Sequence, residues 1–184
     1  MSFITTDYSN VQSNGYEALP TGEYEVLITN VQEKSTPSGA ESLQLDLLVR
    51  NDVKNVPSLS ATNGKYANRH VFMDNWKRKA TKQYDTEGFM SILQAAGVPE
   101  GTAINSVQDF MNQISNKPVS VYVKKEVDEY NTTDADNPEY RNRVAPWNFS
   151  PTKYKEVNHQ FDAKKATASK PKETISISDE DIPF

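Results

Sequence analysis

The sequence predicts a mainly β domain, a small five-stranded barrel with one or two helices between its third and fourth strands, followed by a disordered C-terminal tail. Three observations predict it. Residues 42–50 and 118–124 alternate apolar and polar side chains with the period of a half-buried strand. Between them the chain switches to helical spacing, with Phe89, Ile92, Leu93 and Ala96 on one stripe. From about residue 158 periodicity disappears, and Ala163 to Lys172 is Lys, Ala, Ser, Thr and Pro, the composition of a linker.

Taken in order, residues 1–21 are polar with Tyr8 and Tyr16, end in the turn signal Leu19-Pro20-Thr21-Gly22, and read as an N-terminal arm. The first strand runs from Glu23 to Val31, with Tyr24, Val26 and Ile28 on one face. Leu27 and Val31 take the opposite parity, which requires a bulge or strong bend. Ser35 to Gly39 is a loop, and Ser42 to Arg50 is the clearest strand, with Leu43, Leu45, Leu47 and Val49 alternating against polar residues. Asn51 to Gly64 reads as a connection. Lys65 to Trp76 reads as the third strand, but both of its faces are partly apolar: Tyr66, Phe72 and Trp76 on one, Ala67, Val71 and Met73 on the other. Periodicity leaves the choice of core face open.

Lys77 to Ala96 reads as a helix stopped by Gly97, and Ser106 to Ile114 as a second, with Ser106 and Asp109 placed to cap it. The fourth strand follows Pro118, with Val119, Val121 and Val123 inward and Ser120, Tyr122 and Lys124 outward. Asn131 to Pro138 is a polar hairpin connection, and Glu139 to Phe149 reads as the fifth strand. This places a domain over residues 22–157, a linker over 158–175 and a distinct end over 176–184. Strand, strand, strand, helix, strand, strand is the element order of the OB barrel.

Composition narrows the function. The chain has 184 residues and no cysteine, which excludes disulfides, thiolate zinc sites and cysteine nucleophiles and fits the cytoplasm. No apolar run approaches the roughly 20 residues of a membrane helix, and residues 1–7 lack the basic and apolar regions of a secretory signal. The net charge is −5. Residues 1–162 carry the same −5, so any nucleic-acid contact must come from local clustering rather than a global field. Such a cluster exists: Lys65, Arg69, Lys77, Arg78, Lys79 and Lys82 face Asp74 alone in sequence.

The end of the chain is the most specific signal. Asp179, Glu180 and Asp181 lead into Ile182, Pro183 and Phe184. An acidic lead-in followed by two large apolar side chains has the chemistry of a docking segment for an apolar pocket edged with cations. A frayed acidic terminus has the same composition. The ending Asp-Glu-Asp-Ile-Pro-Phe resembles the C-terminal tip of bacterial and bacteriophage single-stranded DNA-binding proteins (SSB). Thr21-Gly22-Glu23-Tyr24-Glu25-Val26 and Arg143-Val144-Ala145-Pro146-Trp147 are similar to a bacteriophage family found beside recombination and replication genes. These resemblances imply protection of single-stranded DNA, recruitment of replication or recombination proteins through Asp179 to Phe184, and the host cytoplasm as location. Because cellular SSB works as a multi-barrel assembly, they also leave a homo-oligomer open.

A single-strand binder needs aromatic platforms with basic neighbours. Four stretches supply them: Tyr66, Arg69, Phe72, Trp76, Lys77 and Arg78; Tyr122 with Lys124; Tyr140, Arg141, Arg143 and Trp147; and Lys153, Tyr154 and Lys155. Core or rim packing is the simpler reading of Phe72 and Trp76, whereas strand parity turns Tyr122 outward. No cofactor, metal site or catalytic residue is expected. Glu126, Asp128, Glu129, Asp134 and Asp136 fall in a hairpin where solvated acids are the simpler reading than a metal-binding nuclease cluster. His70 and His159 are distant in sequence, and Gly97 to Gly101 lacks the ending of a phosphate loop. The competing expectation is an adaptor that binds other proteins, which the negative charge of residues 1–162 favours.

Overall fold

A computed structural model describes residues 17–161. The tip, Asp179 to Phe184, and most of the N-terminal arm and linker lie outside these residues. Six strands form one antiparallel sheet: β1 (Gly22–Ser35), β2 (Glu41–Val49), β3 (His70–Trp76), β4 (Pro118–Val127), β5 (Tyr140–Arg143) and β6 (Phe149–Pro151). Their order is β3-β2-β1-β4-β5, with β6 also paired to β4. Two helices, α2 (Thr86–Ala95) and α3 (Val107–Ile114), lie between β3 and β4, while the short α1 (Asn63–Tyr66) precedes β3. This is an OB-like arrangement: β1 is shared between β2 and β4, and the helices follow the third strand.

The long first strand serves both neighbours because it bends. Ile28 pairs with Leu47 and Val31 with Leu45, so two residues, Thr29 and Asn30, occupy the space of one. That extra residue restores Val31 to the core side on which Tyr24, Val26 and Ile28 already lie. The core combines these with Leu43, Leu45, Leu47 and Val49 of β2 and Val119, Val121 and Val123 of β4. Ile92, Phe110 and Ile114 from the helices close it. Ser106 accepts from the Asp109 amide at 3.0 Å, as its spacing predicts, and Gly97 (φ 76°) ends the turn after α2.

Four sequence expectations are corrected. The third strand starts at His70, not Lys65, because Asn63–Tyr66 is helical. Asn63 is fully buried there; its side chain bonds the amide and carbonyl of Glu25 and the carbonyl of Arg50, supplying hydrogen bonds a strand neighbour would otherwise provide. The first helix starts at Thr86, capped by Asp85, so Lys77 to Tyr84 is loop. The fifth strand is broken into β5 and β6, because Pro146–Asn148 turns out as a 3-10 segment between them. The body also continues beyond residue 157. Arg50, wholly buried, forks onto Asp52 at 3.0 and 2.6 Å and donates to the carbonyls of Tyr154 and Glu156. His159 is buried and its Nδ1 accepts from the Asn51 amide. Residues 158–161 are therefore docked rather than part of the linker.

Candidate nucleic-acid interface

The phase of β3 decides where its aromatics go. Val71, Met73 and Asn75 are buried, and Phe72, Asp74 and Trp76 face outward. Phe72 is 52% exposed and Trp76 48%, so neither belongs to the core. Side chains two positions apart on a strand share a face, and four residues span about 13 Å. Two platforms at that separation suit stacked bases linked by extended backbone.

Register extends this face across the sheet. Trp76 lies opposite Ser42, Asp74 opposite Gln44 and Phe72 opposite Asp46. Gln44 and Asp46 in turn pair with Gln32 and Asn30 of β1. The surroundings are thus amide- and acid-rich. Asp74 accepts from Ser42 and Gln44, and Asp46 holds His70 at 2.6 Å. The His70 ring lies parallel to Phe72 at 6.3 Å between centroids, an aromatic neighbour that emerges only once the strand phase is fixed. Asn30, Asp46, Asn68, His70 and Phe161 line a hollow of about 300 Å³ beside it.

The basic candidates are mostly engaged. Lys77, directly after Trp76, pairs with Glu41 at 2.5 Å and lies 5.1 Å from the Tyr84 ring. The Lys77 hydrogen bond holds the Glu41 carboxyl below its ordinary range. Arg78 pairs with Asp85 at 3.3 Å. Arg69 has the inward parity and donates to the Glu17 carbonyl at 2.6 Å, apart from the face that carries Phe72. Burial pushes the nearby Tyr24 phenol up to about 12, and its hydroxyl donates to the Pro20 carbonyl.

The remaining strand candidates lie on the same outward side of the sheet, farther along it on β4 and β5. Tyr122, 40% exposed, points outward opposite Glu23, as strand parity predicts. Lys124 lies opposite Arg143, and Glu126 opposite Arg141. Glu126 draws Arg141 to 2.9 Å and Arg143 to 3.8 Å. Trp147, 73% exposed, stands on the 3-10 turn between β5 and β6. Gly88 explains why that turn sits against α2: a Cβ there would meet Pro146 at 3.0 Å. Tyr154 and the two flanking lysines follow β6, where the Tyr154 carbonyl anchors Arg50. The hairpin acids serve local structure. Asp128 bonds the Tyr130 amide and Asn131, which holds its carboxyl below the usual range, and Asp134 bonds the Asp136 amide.

The fold and this geometry define an OB-like barrel with outward aromatics on its third strand. The chain belongs to the family described as "Protein of unknown function (DUF669)", whose model matches residues 4–171. No curated protein matches the sequence. Among solved structures it is similar to "Yeast RPA bound to ssDNA", at 9% identity and a TM-score of 0.31, over 91% of this chain and 95% of that chain. The fold assignment rests on strand order and register, not on that likeness.

Proposed function

We propose that this protein binds single-stranded DNA along the outer face of β2 and β3 and recruits partner proteins through Asp179 to Phe184, without catalysing a reaction. The observation that carries this reading is the outward, half-exposed placement of Phe72 and Trp76 on the third strand of an OB-ordered sheet. That is the face on which OB barrels hold oligonucleotides. The resemblance of the tip and of the two body segments supports a role in bacteriophage or bacterial replication and recombination. Tyr122, Lys124, Arg141 and Arg143, farther along the same outward side on β4 and β5, would extend the path of a longer strand.

The test is titration of a fluorescent oligothymidine with the full chain at low and moderate salt. Binding at micromolar protein is expected, and the oligonucleotide should stay intact with magnesium present. No binding at that concentration overturns the DNA reading.

One observation favours a second reading, an adaptor with little DNA affinity. Lys77, Arg78, Arg141 and Arg143, four of the basic candidates, all sit in ion pairs within the chain, and a phosphate would have to compete with those carboxylates. The same titration separates the two.

A further inference from the structure

The loop after β3 and the two helices enclose an apolar groove that the aromatic face does not use. Its volume is about 450 Å³, and Tyr84, Phe89, Met90, Leu93, Ile104 and Phe110 line it. Phe89 stacks on Phe110 at 4.1 Å between centroids, making a flat aromatic floor. Met90, although apolar, is 65% exposed on α2. A thioether side chain at the edge of an aromatic groove adapts readily to a partner's shape. Lys77 and Lys82 border the groove. From Lys77 to Asp85 the chain carries Lys77, Arg78, Lys79 and Lys82 against Asp85 alone. Among the described residues, Lys79 and Lys82 make no ion pair. The groove is thus an apolar slot with a cationic lip.

The chain carries a segment of complementary chemistry. Asp179, Glu180 and Asp181 precede Ile182 and Phe184, so three carboxylates would meet the lip while two apolar side chains entered the slot. Length permits it. The 20 residues from 162 to 181 span up to about 66–72 Å when extended. A domain of the described size is roughly 38 Å across. We propose that the groove between α2 and α3 is the docking site for residues 179–184 of the same chain, so that the segment offered to partners is also held by its own domain. This requires no nucleic acid and stands or falls separately from the DNA reading.

The four methionines provide the assay. With methionine methyls labelled in the full chain, the Met90 resonance reports the groove, and Met73, 2% exposed in the core, serves as internal control. Replacing Ile182→Ala and Phe184→Ala together should move the Met90 methyl and leave Met73 in place. Lys82→Glu, at an exposed position on the lip, should move Met90 in the same direction, and so should raising salt. The displacement should not change on dilution. An unmoved Met90 in the tail variant overturns the proposal. So does a Met90 shift that grows with protein concentration, which assigns the groove to the tip of a second copy.

Discussion

Trp76→Ala and Phe72→Ala test the proposed interface quantitatively. Both side chains are about half exposed and turned away from the core, so each truncation removes only part of an aromatic burial, about 1 kcal/mol of folding stability. On a protein of this size that lowers Tm by about 2–4 °C. A stacked base is worth about 1–3 kcal/mol, which corresponds to a loss of about 5- to 150-fold in Kd for oligothymidine from each variant. The two rings are about 13 Å apart along β3. Sites that far apart act independently, so the double variant should lose roughly the product of the two factors. The engaged cations set the salt response. With only two or three phosphates neutralised, log K should fall with log salt at a slope of about −1.4 to −2, shallow for a single-strand binder. Fluorescence anisotropy at three salt concentrations reads both quantities. Affinity unchanged in the double variant, with the thermal transition intact, refutes the assignment of this face.

Three further outcomes follow from the packing. Arg50→Met leaves the Asp52 carboxylate and the Tyr154 and Glu156 carbonyls without their buried partner, and should cost about 3–5 kcal/mol in denaturant unfolding; a loss under about 1 kcal/mol contradicts the role of Arg50 as the clamp on residues 154–156. Burial raises the Glu25 carboxyl above its ordinary 4.5, although the Thr152 hydroxyl donates to it, so the folded state holds a proton that the unfolded state has already lost. Stability should therefore fall as pH rises above 4.5, and in Glu25→Gln this loss should vanish; parallel unfolding curves for the two proteins between pH 4 and 7 exclude it. Deleting residues 177–184 should tighten oligothymidine binding at low salt and leave it unchanged at high salt, as measured by anisotropy; equal affinity at low salt removes that idea.

The parts of the fold legible in the sequence were those in which one face is unambiguously apolar. β2 and β4 read directly because Leu43, Leu45 and Leu47, and Val119, Val121 and Val123, alternate with polar residues. The bulge in β1 was legible for the same reason, since Val31 breaks parity with Ile28 and only an inserted residue restores it. β3 was not. Tyr66 extended the apparent pattern toward the N-terminus, but it belongs to a one-turn helix fixed by Asn63, whose buried amide has no hydropathy signature. The break between β5 and β6 had a local signal in Pro146, which cannot join a ladder. Docking of residues 158–161 depends on Asn51 and Asp52, more than 100 positions away, and no local pattern carries such a contact. At the site, residue types were legible but their grouping was not. Adjacent positions such as Arg69 and His70 part company because one residue of strand reverses the face.

The position of Lys77 links the two proposals physically. It follows Trp76, the last platform of the aromatic face, and it also lines the groove between α2 and α3. Its ammonium already serves Glu41, so it cannot fully neutralise a phosphate and an incoming carboxylate as well. A strand stacked on Trp76 would bring phosphates toward the lip that the acidic segment needs. Three carboxylates in the groove would raise the negative potential where those phosphates arrive. Each ligand should therefore weaken the other, and linkage requires the effect to be reciprocal. The coupling is electrostatic and acts at the surface, so it should be largest at low salt and fade as the Debye length contracts. DNA binding would then free the tip for partners, with no change in the barrel itself.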